Sequence, residues 1–208
     1  MGAMSEPTRL LGQAGIRLSG GVLAGGEGRR FGGADKGWVA YHGRPFVEQV
    51  LARLAPQVAD VAISANRNLD RYAALGHPVL QDRLGAGPLA GLLRLLESAP
   101  QDWLLSVPCD ALDLPRDLAP QLVAIQRAEN SDVVVLCDDD GVHPLVALTR
   151  CALAPDIEAC IAAGELSVQR WQARHRVVRL QRRGVLVNVN DAARLAELET
   201  ECEEPAHG

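Results

Sequence analysis

From Leu18 onward, short β-rich apolar runs take turns with stretches of helical periodicity, and few architectures accept that order. Residues 18–24, 58–64, 78–81, 103–107, 133–137 and 142–148 read as strands, each bounded by Gly, Pro, Asn or Asp. Between them lie helices. Residues 45–54 place Phe46, Val47, Val50, Leu51 and Leu54 at helical spacing, 88–96 place Leu89, Leu92, Leu93 and Leu96 on one face, and 115–128 turn Leu118, Leu122 and Ile125 inward. Such alternation implies parallel strands joined by right-handed crossovers, hence a Rossmann-like three-layer α/β/α fold. The pattern changes at Asp138-Asp139-Asp140-Gly141, where strand follows strand across a tight acidic turn. That predicts an antiparallel hairpin, so the central sheet is mostly parallel but mixed. Helices over 156–163 and 168–174, short strands over 177–180 and 185–187, and a last helix over 192–198 capped by Asn190 or Asp191 complete the reading.

At 208 residues, the chain suits one domain around one core. We expect a flexible leader over 1–17, a single domain over 18–199 and an acidic disordered tail over 200–208. Aromatic residues make up only 3%. The core must therefore be aliphatic, as in buried parallel sheets. A formal net charge of −5 argues against a nucleic-acid or membrane binder held by bulk positive potential. Any anionic ligand must then be met by a local basic site or a metal ion. Five cysteines without a CxxC pair read as reduced thiols, and no window approaches a membrane span. Both point to the cytoplasm.

The loop after the first strand carries the chemistry. "LAGGEGRRFGGADKG" (23–37) holds six glycines with Arg29, Arg30 and Lys36. A dinucleotide fingerprint would need Gly at position 31, which is Phe, and a P-loop would need Gly at position 35, which is Asp. Neither fits. What remains is a glycine-lined loop with three cations, whose backbone amides can form an anion-binding concavity and whose arginines fork onto phosphate oxygens. A polyphosphate is the ligand such a loop suits; a surface loop with solvated charges is the alternative. Asp110 ends the apolar run "WLLSVPCD". It reads either as a ligand of a hard dication such as Mg²⁺ or as a cap of the turn that follows.

The loop resembles the signature LAGGxxxRMGxxK of nucleotidyltransferases of the GT-A-like fold, most closely the molybdenum cofactor guanylyltransferase family (MobA type). "ISANRN" (63–68), "DRLGAGPLAGLL" (82–93), "WLLSVPCDALDLP" (103–115), "HPLVAL" (143–148) and "VNVNDAARLAELE" (187–199) follow in that family's order. The resemblance implies transfer of GMP from GTP to the phosphate of Mo-molybdopterin, with Mg²⁺ on Asp110. Lys36 would then neutralise charge on the triphosphate and Arg30 on the leaving pyrophosphate. It also implies a nucleotide site of Leu23, Ala24, Gly25, Gly26, Lys36, Asp82 and Asp110, with Gly26 favouring guanine where cytidylyl-transferring relatives tend to carry LAAG. Two departures stand out: Phe31 replaces the usual Met, and Ser64 replaces an Asn that contacts nucleotide in some relatives. Ser64 and Asn66 are both candidates for that contact.

On the acceptor side the resemblance implies Gly87, Pro88, His143, Asn188 and Asn190. A hydrogen-bonded structural imidazole for His143, and turn or helix-capping roles for the asparagines, compete with it. Molybdopterin, GTP, cofactor-loading proteins and apo-molybdoenzymes are the partners implied. A cytidylyl or sugar-phosphate nucleotidyltransferase, or a silent cofactor-binding and delivery protein, are the alternatives. The DDDG stretch lacks the continuation of a calcium loop and reads as a hairpin turn. Cys109 reads as a buried space-filling thiol, and Trp38, Trp103 and Trp171 form no stacking platform.

Overall fold

The first strand, β1 (Leu18–Leu23), is buried at all its residues, as a central parallel strand covered on both faces must be. The structure is a computed structural model describing residues 17–25, 32–82, 87–189, 193 and 195–197. After β1 the chain makes a 3-10 turn at Lys36–Trp38 and a two-stranded ribbon, β2 (Ala40–Tyr41) with β3 (Arg44–Pro45), before α1 (Phe46–Leu54). There follow β4 (Asp60–Ser64), α2 (Leu69–Ala73), β5 (Val79–Leu80), α3 (Gly87–Ser98), β6 (Trp103–Pro108) and α4 (Leu118–Glu129). The remaining elements are β7 (Val133–Asp138), β8 (Gly141–Arg150), α5 (Ala154–Ala162), α6 (Val168–Gln172) and β9 (Val177–Gln181).

Seven strands form one sheet in the order β5-β4-β1-β6-β8-β7-β9. Every neighbouring pair is parallel except those made by β8, which runs against both β6 and β7. The mixed sheet with a β7–β8 hairpin is the one the sequence predicts. Helices cover both faces. One core packs α1 and α4 through Phe46, Val50, Leu54, Leu118 and Leu122. The other packs α3, α5 and α6 through Leu89, Leu92, Leu95, Ile157 and Trp171. Burying each such large apolar side chain contributes about 1.5–3 kcal/mol, so the aliphatic periodicity of these helices is what holds the three layers.

Because only β8 is reversed, one edge of the sheet collects the carboxyl ends of the other six strands and the start of β8. That edge is where open α/β sheets bind ligands. The β7–β8 pairing slips between Val135, opposite Ala147, and Leu136, opposite His143, so three residues of β8 bulge out. Two of the bulged carbonyls are captured by side chains. Ser106 donates to Leu145 O at 2.9 Å and Gln172 to Pro144 O at 2.8 Å.

Residues 185–187 do not form the strand that their apolar character predicts. Val185 is exposed, and the segment makes a single bridge, Asn188 opposite Ala111. The physical reason is that carboxylates take the backbone N–H groups a ladder would need. Gly184 N–H donates to Asp139, Leu186 N–H to Asp138 and Val187 N–H to Asp113. Residues 193 and 195–197 are helical. The candidate caps Asn190 and Asp191, the leader up to residue 16 and the tail from 198 lie outside the described residues.

Candidate active site

The exits of β1, β4, β5 and β6 converge at the carboxyl edge. Ala24 N–H donates to Ser64 O at 2.8 Å and Cys109 N–H to Leu23 O at 3.0 Å, which draws the turns after β1, β4 and β6 together. Gly25 lies beside Asn66: a Cβ built there would be 3.8 Å from Asn66 Nδ2. Asn66 in turn grips Asp82, donating its amide to the carboxylate and accepting Asp82 N–H at 3.1 Å. Leu23, Ala24, Gly25, Asn66, Asp82 and Asp110 therefore share one edge.

Lys36 reaches this group from the side. Its Nζ donates to Asp110 Oδ2, which is nearly buried, while the lysine side chain keeps 25% of its surface exposed. The turn carrying Lys36 is locked from below. Asp35 caps it, accepting Gly37 N–H at 3.3 Å, Asn68 Nδ2 at 2.9 Å and the Tyr72 hydroxyl at 2.7 Å. Arg67 donates to Gly33 O at 3.1 Å. Trp38 stacks near Tyr72, with ring centroids 5.0 Å apart, and the Arg71 guanidinium lies 3.8 Å over the indole. Tyr72 is wholly buried, and its hydroxyl stays protonated because burial and then the Asp35 carboxylate push its pKa up. It can therefore serve as a fixed donor. Gly37 is required where it stands, since a Cβ there would fall 2.3 Å from the Tyr72 hydroxyl.

Two side chains that the sequence singles out are buried. Ser64 is buried, and its Oγ would be 2.9 Å from a Cβ placed on Gly91 of α3. The hydroxyl thus points into the sheet–helix interface, and Ser64 meets the edge through its backbone. Cys109 is also buried. Desolvation, then the neighbouring Asp110 charge, push its thiol pKa up, so no reactive thiolate stands beside the carboxylate. Gly26 and Arg30, with Asn190, lie outside the described residues. Gly87 and Pro88 are exposed at the start of α3.

A second group sits farther along the edge. His143 Nε2 lies 2.7 Å from Asp138 Oδ2, and Asp138 also accepts N–H groups from Leu186 at 2.7 Å and Asp140 at 2.9 Å. Burial alone would raise the Asp138 pKa. The hydrogen bonds from Leu186 N–H, His143 and Asp140 N–H outweigh it and hold the carboxyl below the usual carboxylate range. Asn188 lies opposite Ala111, next to Asp110, and its Oδ1 is buried with no hydrogen-bond partner among the described residues.

Among the described residues no three His, Cys, Asp or Glu side chains cluster to form a metal cage. A single nearly buried carboxylate at the carboxyl edge of the sheet nonetheless fits a hard dication. Mg²⁺ is commonly held by one or two carboxylates and completes its shell with substrate phosphates and water.

Comparison with known proteins decides the family. The MobA-like NTP transferase domain matches residues 20–182. The chain belongs to the MobA-like NTP transferase family. Among curated members, it is 42% identical over 194 residues to the molybdenum cofactor guanylyltransferase of Burkholderia vietnamiensis, covering 87% of this chain and 95% of that protein. It is 40% identical over 159 residues to the enzyme of the same name from Shewanella baltica, covering 76% and 81%. The fold of this MobA-like chain is shared by the molybdopterin-guanine dinucleotide biosynthesis protein A of Archaeoglobus fulgidus, with TM-score 0.71, 21% identity and coverage of 88% and 98%. A CMP:2-keto-3-deoxy-manno-octonic acid synthetase complexed with CTP also shares it, with TM-score 0.72, 14% identity and coverage of 89% and 98%. The MobA-like chain is thus a nucleotidyltransferase, and no helix among its described residues is long and apolar enough to cross a membrane.

What sequence reading missed is the support beneath Lys36. Asp35 appeared only as a mismatch to a P-loop, although an Asp directly before a short helical turn is a capping signal. Tyr72 and Gly37 are 35 positions apart, and no local pattern announces their contact.

Proposed function

We propose that the chain joins GMP from GTP to the phosphate of molybdopterin, releasing pyrophosphate. The observation that carries this reading is the Lys36–Asp110 pair at the exits of β1 and β6, in a chain at least 40% identical to several molybdenum cofactor guanylyltransferases.

In this reading the backbone of Leu23, Ala24 and Gly25 lies along the nucleoside, and Asp82, oriented by Asn66, meets the base or ribose. Lys36 swings from Asp110 to the triphosphate and neutralises charge that gathers at the α-phosphorus, with Arg30 on the departing pyrophosphate. Asp110 would hold Mg²⁺, which supplies charge neutralisation on the phosphates when bound. The acceptor is a phosphate monoester, already anionic near neutral pH, so its oxygen attacks without a strong general base. Phosphoryl transfer requires positioning and electrostatic stabilisation more than covalent help. The inert Cys109 agrees with that. Gly87, Pro88, His143, Asn188 and Asn190 would face the acceptor, and the Oδ1 of Asn188, without a hydrogen-bond partner among the described residues, would supply a buried hydrogen-bond acceptor there.

A cytidylyl reading keeps the fold and changes the base. Ser64, whose hydroxyl faces Gly91, leaves base recognition to Asn66 and Asp82, and these polar groups must match one base edge. Calorimetric titration with GTP and CTP, each with and without Mg²⁺, followed by pyrophosphate release with molybdopterin, separates the two. Of the two nucleotides only GTP should bind tightly and support turnover, and Asp110→Ala should abolish Mg²⁺-dependent turnover. A preference for CTP would move the function to the cytidylyl alternative, and Asp110→Ala with full Mg²⁺-dependent turnover would remove the metal assignment.

A further inference from the structure

The acidic turn between β7 and β8 does more than reverse the chain. Asp138 is the last residue of β7, and its carboxylate is almost wholly buried. Within its own turn it accepts the N–H groups of Asp140 at 2.9 Å and Gly141 at 3.2 Å. Those two bonds are what a hairpin needs. The other two contacts lie outside the turn, one across the hairpin and one far along the chain. Its Oδ2 lies 2.7 Å from His143 Nε2 and accepts Leu186 N–H, 48 positions away, at 2.7 Å.

The segment gripped at Leu186 runs directly along the Asp110 turn. Leu112 N–H donates to Val187 O at 3.0 Å, Val187 N–H to Asp113 Oδ1 at 2.8 Å, and Asn188 is bridged to Ala111. Asp138 is therefore a junction. On one side it holds an imidazole, and on the other a strap whose next polar side chain, Asn188, sits one residue from the carboxylate at the centre of the site. A buried carboxylate is costly unless it is hydrogen-bonded or paired, and here the Leu186 N–H and the imidazole 2.7 Å away that offset that cost are also the groups it sets in place.

We propose that Asp138 is a positioning residue for the acceptor side of the reaction: it fixes His143 and the 186–188 strap against the Asp110 turn without touching substrate itself. This rests on the reading that His143 and Asn188 face the acceptor. Asp139 provides a comparison, because it accepts Gly184 N–H of the same strap at 2.8 Å, whereas the ion-pair contact of His143 is with Asp138.

The test is steady-state pyrophosphate release with GTP and molybdopterin, together with GTP calorimetry, for Asp138→Asn, Asp138→Glu, Asp139→Asn, His143→Gln and Asn188→Ala. Asp138→Asn is expected to raise the molybdopterin KM about tenfold or more, while kcat and GTP affinity stay within about threefold. Its effect should not add to that of His143→Gln in the double variant, as for two residues acting through one contact. Asp139→Asn should change the molybdopterin KM by less than about threefold. If Asp138→Asn does not fold, Asp138→Glu keeps the charge, displaces the imidazole by one methylene and should give the same rise in KM. The inference is overturned if GTP affinity falls in step with the molybdopterin KM, or if the KM stays at the wild-type value in a folded Asp138 variant. If His143→Gln and Asn188→Ala also leave the KM unchanged, the acceptor reading fails with it. If those two raise the KM and the Asp138 variants do not, the positioning inference fails alone.

Discussion

Gly37→Ala tests whether the support under Lys36 matters to catalysis. The new Cβ would lie 2.3 Å from the Tyr72 hydroxyl and 3.2 Å from its Cζ, whereas ordinary contacts begin near 3.4 Å. About 1 Å of room is missing, and relieving such overpacking costs about 1–3 kcal/mol. Tyr72 cannot rotate away freely, being wholly buried beside Trp38. Either its 2.7 Å bond to Asp35 breaks, at about 1 kcal/mol, or the turn moves and takes Lys36 with it. A total near 2–3 kcal/mol corresponds to a fall in Tm of about 5–10 °C for a chain of this length. A shift of Lys36 by about 1 Å costs on the order of 10²-fold in turnover. Thermal denaturation and pyrophosphate release would measure both. Tyr72→Phe removes the colliding oxygen, so the double variant should recover part of the stability lost by Gly37→Ala. Wild-type Tm and turnover in Gly37→Ala, or a double variant worse than the sum of the singles, would refute the packing argument.

Lys36 is the only lysine of the chain, so an aldehyde-bearing GTP analogue with borohydride should attach to that one side chain, and GTP should protect it. Lys36→Met should lower kcat by about 10²–10³-fold, the typical loss of one charge-stabilising donor. Cys109→Ala should keep turnover within about threefold, since burial holds the thiol protonated; a larger loss would give Cys109 a role. The Asp138 carboxyl has a lowered pKa in the folded chain, so its stabilisation is present above its unfolded value near about 3.9 and lost as pH falls through the folded value. Urea unfolding of Asp138→Asn should accordingly differ from wild type at neutral pH and converge with it in strong acid. Parallel curves at all pH values would exclude that linkage.

The layers were legible because each helix declares its buried face: Phe46, Val47, Val50, Leu51 and Leu54 are all buried, as their spacing predicts. The hairpin at residues 138–141 was legible from its turn chemistry. Strand order was not, because pairing such as β1 with β6 joins Leu18 to Trp103 and leaves no local mark. The 185–187 segment looked like a strand because side-chain pattern reports apolarity and not where the backbone N–H groups go. Three carboxylates from two other parts of the chain decide that. In the candidate site, Lys36 and Asp110 stood out as charges ending apolar or glycine-rich runs. The direction of the Ser64 hydroxyl was not legible for a related reason: alternation along β4 cannot say that Gly91 leaves room for it under α3.

The single reversed strand divides the carboxyl edge into halves with different histories of assembly. The residues proposed to surround the nucleotide come from the exits of β1, β4, β5 and β6, which meet only after the crossovers between them have closed. His143 and Asp138 meet across one hairpin, because β8 begins where β7 ends. A change at the first half must be accommodated by the whole sheet. A change at the second can be absorbed by a hairpin, a bulge and one strap, so under the proposed assignment the choice of acceptor can drift while the grip on the triphosphate stays put.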